Sequence, residues 1–152
     1  MTIRPYIPSD YPQIIELFRL NTPEYFSPDE EEGLADYLNS HIQYHYIAEI
    51  DGKIMGCGGY AISKDRSTAH IAWDIVHPDS HGKGVGRKLT AFRIEEIRKI
   101  ESVNIIVVRT SQLAYKFYEK FGFKLKEVTK NYWAEGFDLY HMEYDMRQII
   151  IP

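Results

Sequence analysis

The run His77-Pro78-Asp79-Ser80-His81-Gly82-Lys83-Gly84-Val85-Gly86-Arg87-Lys88-Leu89 restricts this chain more than any other. It follows a β-like segment and leads straight into a helical pattern, so it demands a strand, a glycine-rich loop and a helix in succession. Glycines ahead of a helix N-terminus leave backbone N–H groups bare and outward-facing, an arrangement that holds phosphate or pyrophosphate. Two familiar nucleotide loops do not fit the letters. A Walker loop needs Ser or Thr directly after Gly-Lys, but Lys83 is followed by Gly84. A dinucleotide fingerprint needs a further glycine where Arg87 stands.

The rest of the chain alternates in the same manner. Thr2 to Ile7 reads as a strand, and Ser9-Asp10 as the cap of a helix with Ile14, Ile15, Leu17 and Phe18 on one stripe. Ser27-Pro28-Asp29-Glu30 is a second helix start, with Ser27 at the N-cap and Glu30 completing a capping box. Between them lies a polar and aromatic loop, Asn21 to Phe26. Tyr44 to Ile50 and Lys53 to Ile62 form a hairpin about Asp51-Gly52, and Thr68 to Val76 is a third strand ended by Pro78. The glycine loop opens a helix from Lys83 to Ile100. Asn104 to Arg109 has the β-branched content of a central strand. Ser111 is placed to cap a helix to Phe121, with Leu113, Phe117 and Phe121 facing one side and Gly122 stopping it. Phe123 to Lys130 and Phe137 to Met146 read as final strands about the segment from Asn131 to Gly136.

Length and charge narrow the class. With 152 residues, the chain has the size of one domain spanning 1–152. A net charge of −4 argues against nonspecific nucleic-acid binding, which rewards a surplus of Lys and Arg. No apolar run approaches a membrane span and the N-terminus lacks a signal-peptide pattern, so a cytoplasmic protein with no membrane partner is expected. The single cysteine, Cys57, sits in an apolar strand and reads as packing. No grouping of residues suggests a metal site.

Two blocks carry a resemblance. His81-Gly82-Lys83-Gly84-Val85-Gly86 resembles the pyrophosphate-binding signature of the GCN5-related N-acetyltransferases, Arg or Gln followed by x-x-Gly-x-Gly or Ala. Ala114-Tyr115-Lys116-Phe117-Tyr118-Glu119-Lys120-Phe121-Gly122-Phe123 resembles the same family's later Ala-x-x-Φ-Tyr-Glu-Lys-x-Gly-Phe segment almost letter for letter. The central hairpin and element order agree. The resemblance runs from Thr2 to about Met146. It implies an α/β (α+β) fold, a mixed central sheet of about seven strands flanked by helices on both faces. It further implies acetyl-CoA as acyl donor and direct transfer to a primary amine of a small molecule or a protein N-terminus. Two letters depart from the pattern: His81 replaces Arg or Gln, and Ser111 replaces the usual asparagine.

Site residues follow from that resemblance one by one. The cofactor-binding set is Ile75, Val76, His81, Gly82, Lys83, Gly84, Val85, Gly86, Arg87, Ser111, Ala114 and Tyr118. Tyr118 stands where the family's thiolate-protonating tyrosine lies, and a phenol near pKa ~10 held against a thiolate near ~8.5 is a workable acid. Backbone N–H groups near Ile75 are placed to polarise the thioester carbonyl. His70 falls where some protein-acetylating members place a catalytic glutamate, and Asp74, on the same strand, is the other candidate base. The loop carrying Glu24, Tyr25 and Phe26 corresponds to the acceptor rim, and Trp133 is a further candidate wall. The acidic run Glu24, Asp29, Glu30, Glu31, Glu32 reads first as helix-start chemistry and second as an attractor of cationic amines. No Cys or Ser nucleophile sits beside an oriented base. Competing readings are a non-catalytic acyl-CoA-binding module and an interaction protein using the aromatic C-terminal hairpin; a homodimer is the default assembly.

Overall fold

The computed structural model describes residues 1–147, so the last five residues of the expected 1–152 domain lie outside the described part. Its strands are β1 (Thr2–Pro5), β2 (Tyr44–Ile50), β3 (Lys53–Ile62), β4 (Thr68–Val76), β5 (Ile105–Thr110), β6 (Lys124–Ala134) and β7 (Phe137–Asp145). Its helices are α1 (Tyr11–Leu20), α2 (Glu31–Asp36), α3 (Val85–Arg98) and α4 (Tyr115–Glu119). The strands form one mixed seven-stranded sheet in the order β1-β2-β3-β4-β5-β7-β6, as expected for the α/β class. By internal contacts the chain divides into two compact units: Met1–Ala61 with Ala72–Glu95, and Ile62–Ile71 with the chain from Glu96 onward.

In the first unit, β1-β2-β3 form an antiparallel meander. The β2–β3 hairpin has the expected bounds because Asp51 and Gly52 both take positive φ, 52° and 75°, the geometry of a tight two-residue turn. Alternation along β2 then sends neighbouring residues to opposite faces. Ile47 joins Ile14, Leu17 and Phe18 of α1, Leu34 of α2, Cys57 and Ile75 in one core cluster. Ala48 instead packs with Val85 and Leu89 of α3. Helices thus cover both faces of this unit's sheet.

Three starts and stops differ from the sequence reading. β1 ends at Pro5 and α1 begins only at Tyr11, after a 3-10 turn over Pro8–Asp10. Ser9-Asp10 do not cap α1: Asp10 turns back, accepting the Ile7 N–H at 2.9 Å and binding the Arg4 guanidinium at 2.8 and 2.9 Å. α3 begins at Val85 because Gly84 has φ +88°, outside helical space. Ser27 does cap as expected, accepting from the Asp29 N–H, while Glu30 reaches back to the Ser27 N–H.

In the second unit, β5 pairs parallel with the start of β4 (His70 opposite Val107) and antiparallel with β7 (Arg109 opposite His141). Ile106, Val108, Met142 and Tyr144 are buried, and Tyr118, Phe123 and Tyr144 meet edge-on or tilted at 5.4–5.6 Å between ring centroids. α4 is shorter than the sequence suggests. The Ser111 hydroxyl takes the Leu113 N–H into a local turn, Ala114 becomes the N-cap, and Leu113 is exposed, not part of an apolar row. The helix also stops short of the expected Phe121, at Glu119 with Lys120 as its C-cap, and Gly122, at φ 105°, lies in the turn that follows. β6 runs on to Ala134, so the final turn holds only Glu135 and Gly136. This strand forms the sheet's edge, with nine of its eleven residues exposed.

Candidate active site

The glycine loop lies in the first unit and has the shape of an anion seat. Pro78–Ser80 form a 3-10 turn, Gly82 and Gly84 take φ +75° and +88°, and Lys88 makes a helical bond back to the Gly84 carbonyl at 3.0 Å. The N–H groups of Val85, Gly86 and Arg87 therefore come before that bond, at the positive end of a 14-residue helix. A Cβ on Gly82 or Gly84 would meet nothing within 4 Å, so the space before the loop is open. Bare donors, open space and the nearby charges of Lys83, Arg87 and Lys88 fit a pyrophosphate.

His81, which stands where the family pattern has Arg or Gln, bonds back to the end of β4. Its Nε2 bonds the Val76 carbonyl at 2.9 Å, and its ring stands edge-on to Tyr25 at 4.8 Å. The Val76 carbonyl also accepts from Asn21 Nδ2 at 3.0 Å, and Asn21 is buried and bonds Leu17 O as well. The end of β4 is thus stapled to the glycine loop by His81 and to the Asn21–Phe26 loop by Asn21. Asn21 was not legible as a site residue: a polar residue after a helix resembles an ordinary C-terminal stop. Tyr25 lies against His81 of the glycine loop, whereas Phe26 turns inward against Phe18 and Trp73, and Glu24 is exposed.

The backbone irregularity of β4 sits at Trp73, two residues before the expected Ile75. Trp73 has φ 50°, a region costing roughly 1–3 kcal/mol for a bulky side chain, and Phe18, Phe26 and Tyr37 surround its ring at 6.3–6.4 Å. Ile75 is buried, and its backbone hydrogen-bonds the Cys57 sulfur. Burial drives the Cys57 thiol far above its usual range, which makes it inert packing.

Asp74 is paired with Arg93. Its Oδ1 takes Arg93 Nη1 at 2.5 Å, and Arg93, 1% exposed, also donates to Leu89 O and Gly59 O at 3.1 and 3.0 Å. The carboxylate neutralises a guanidinium buried inside the unit. Position 58 is glycine because a Cβ there would stand 2.5 Å from Asp74 Oδ1 and 2.8 Å from the Arg93 guanidinium. Nothing in the sequence distinguished Arg93 from a solvated helix residue. Within the acidic run, Glu31 binds Arg19 at 2.6 and 2.9 Å, and Asp29 and Glu30 form the helix start.

In the second unit, His70 reaches the surface from β4 with its ring partly covered, and that partial burial, with the charges of Arg109 and His141 adding to it, holds its imidazole below the usual range. Tyr118 is buried, its ring edge-on to Phe117 at 5.0 Å and to Phe123 at 5.6 Å. Ser111 and Ala114 shape the turn that launches its helix, Ser111 O accepting the Ala114 and Tyr115 N–H groups. Trp133 donates Nε1–H to Thr110 O at 3.0 Å, and Gln112 clamps the β6–β7 turn through Gly136 O and the Asp138 N–H.

Fold and loop define an α/β acetyltransferase. The sequence profile described as acetyltransferase (GNAT) domain matches residues 18–146, and the chain belongs to that family. An N-alpha-acetyltransferase of Sulfurisphaera tokodaii is 26% identical over 151 residues, covering 88% of this chain and 86% of that protein. An amino-acid acetyltransferase of Neisseria meningitidis is 28% identical over 116 residues, covering 73% of this chain but 25% of that longer protein. Among solved structures, the acetyltransferase yncA of Salmonella typhimurium, determined with its cofactor acetyl-CoA, matches with a TM-score of 0.76 at 19% identity, covering 100% of this chain and 97% of that one. Among the described residues no helix is long and apolar enough to cross a membrane.

Proposed function

We propose that the chain is an acetyl-CoA-dependent N-acetyltransferase that transfers the acetyl group directly to a primary amine, on a small molecule or a peptide N-terminus. The open, donor-lined loop from Gly82 to Gly86 at the start of α3 carries this reading. Similarity to proteins named for N-alpha- and amino-acid acetylation, and to one that holds acetyl-CoA, supports it.

Acetyl-CoA, when bound, supplies the acetyl thioester. The glycine loop receives the pyrophosphate through backbone N–H groups, with Lys83, Arg87 and Lys88 adding charge. The acceptor nitrogen forms the new C–N bond as the C–S bond breaks. Tyr118 delivers its phenolic proton to the departing sulfur and recovers one from the amine by way of solvent, so charges balance over the cycle. His70, whose imidazole is held below the usual range chiefly by burial, is one candidate base, and Asp74, paired with Arg93, is the other. Backbone N–H groups following the Trp73 kink polarise the carbonyl.

The test is thiol release from acetyl-CoA against amino acids, polyamines, small amines and peptide N-termini, comparing wild type with Tyr118→Phe. The phenylalanine keeps the ring's edge contacts, so kcat should fall by about 10²–10⁴-fold while the dissociation constant for acetyl-CoA stays within about twofold. An unchanged chemical step refutes the acid assignment. Tight coenzyme A binding without transfer to any amine would mark a binding module instead.

A further inference from the structure

Arg109 occupies an unusual position for an exposed cation. Among the described residues no carboxylate lies within ion-pair distance of it, yet its guanidinium is held in place. Its Cζ stands 4.9 Å from the Tyr132 ring centre and 5.8 Å from that of Trp133. Consecutive residues of a regular strand point to opposite faces, so Tyr132 and Trp133 should not share a neighbour. They do because β6 shifts register between Thr129 and Ala134, with Asn131 at φ 54°. A bulge of this kind re-aims a side chain.

The arrangement is braced. The Trp133 indole is tied to Thr110 O, one residue beyond Arg109, and Asn131 Oδ1 accepts the Gly136 N–H at 2.8 Å while Asp138 Oδ1 accepts the Asn131 N–H at 2.9 Å. Register also places His70 and His141 near Arg109, since His70 pairs with Val107 and His141 with Arg109 itself. Two acids share these rows, Glu127 opposite His141 and Glu143 opposite Val107, but Glu143 Oε2 is taken by His141 Nε2 at 3.1 Å and neither carboxylate is within ion-pair distance of Arg109. The His70 imidazole is held low chiefly by burial, and the Arg109 and His141 charges add to that depression. A planar cation fixed on two rings, with its fork of donors unpaired by any acid, is matched by a carboxylate.

We propose that Arg109, braced by Tyr132 and Trp133, receives a carboxylate of the acceptor, so that the amine acetylated by this protein also carries an acidic group. The assignment of an acceptor rests on the acetyltransferase reading; the carboxylate seat itself does not. Two sources share this chemistry, a free acidic amino acid and a peptide with an acidic residue near its N-terminus, and matched pairs separate them.

The experiment measures kcat/KM for glutamate against glutamine, and for a Glu-initial against a Gln-initial tripeptide amide, in wild type and Arg109→Gln. In wild type the acidic member of at least one pair should be favoured about 10- to 100-fold, the range for a charge-assisted hydrogen bond. In Arg109→Gln that ratio should fall to about one through KM, and Arg109→Lys should restore only part of it. A second readout needs no turnover. In a Trp73→Phe background Trp133 is the only indole, and its fluorescence should respond to the favoured acidic compound but not its amide, and to neither once Arg109 is glutamine. If no amine is acetylated but this fluorescence pattern holds, the carboxylate seat stands and the transferase reading falls. Equal kcat/KM within both pairs, a preference retained in Arg109→Gln, or a fluorescence response indifferent to charge overturns the proposal.

Discussion

Lowering the pH from 7.5 to 5.0 should cost this protein about 2 kcal/mol of stability through His45 alone. The imidazole is 4% exposed, its Nδ1 meets the Tyr37 hydroxyl at 3.0 Å, and its Nε2 is buried with no hydrogen-bond partner. Burial, reinforced by the Arg93 charge, pushes its pKa down to about 3. The folded state therefore refuses a proton that the unfolded chain accepts near pH ~6.5. Above that pH the neutral ring contributes its full stability, and the contribution is lost progressively as pH falls from ~6.5 toward the folded value. At pH 5.0 the unfolded imidazole is almost wholly protonated and the folded one almost wholly neutral, which at 1.36 kcal/mol per unit over about 1.5 units gives the ~2 kcal/mol above. Urea unfolding at pH 7.5, 6.5, 5.5 and 5.0 is the assay, with His45→Gln as the comparison. His70 and the carboxylates titrate in both proteins, so their effects cancel in the difference. The gap between wild type and His45→Gln should narrow by about 2 kcal/mol across the range. A gap independent of pH would show that His45 is protonated in the folded protein, and the reasoning from its orphaned Nε2 would be wrong.

Three further outcomes follow from the geometry. Asp74→Asn leaves the Arg93 guanidinium buried without its counter-charge and should cost roughly 3–5 kcal/mol in urea unfolding, whereas a surface acid would cost under ~1 kcal/mol. Gly84→Val forces a β-branched residue to a positive φ and fills the open space before the loop; the melting temperature should fall and the calorimetric dissociation constant for coenzyme A rise by about tenfold or more, and an unchanged constant would refute the pyrophosphate seat. Ser27→Ala removes the side-chain acceptor for the Asp29 N–H and should lose about 1 kcal/mol, read as a small fall in the melting temperature.

Much of the scaffold was legible because local chemistry and tertiary role coincide. The β2–β3 hairpin needed only its Asp51-Gly52 turn, and the start at Ser27 only its capping box. The glycine loop was equally plain, since its shape is carried by residues adjacent in sequence. The pairings that the sequence did not show join one element to another, whatever their separation along the chain. Asp10 looked like a cap until Arg4 claimed it, and neither the Arg93 partner of Asp74 nor the bond from His81 to the Val76 carbonyl is written in local sequence. The bulge at Asn131 was hidden because strand periodicity assigns Tyr132 and Trp133 to opposite faces, and only the register with β7 reveals otherwise.

The exposed final strand bears on how copies of this protein meet. An edge strand offers unpaired backbone groups to any passing strand, and natural sheets guard such edges with charge, above all with lysine. β6 carries Lys124, Lys126 and Lys130 along its length and a bulge near its end. A second copy adding here edge to edge would meet three lysines against the one glutamate, Glu127, and would have to match a broken register. At high concentration this sheet therefore resists continuation from molecule to molecule, even though Leu125, Val128 and Tyr132 leave apolar surface on the same strand.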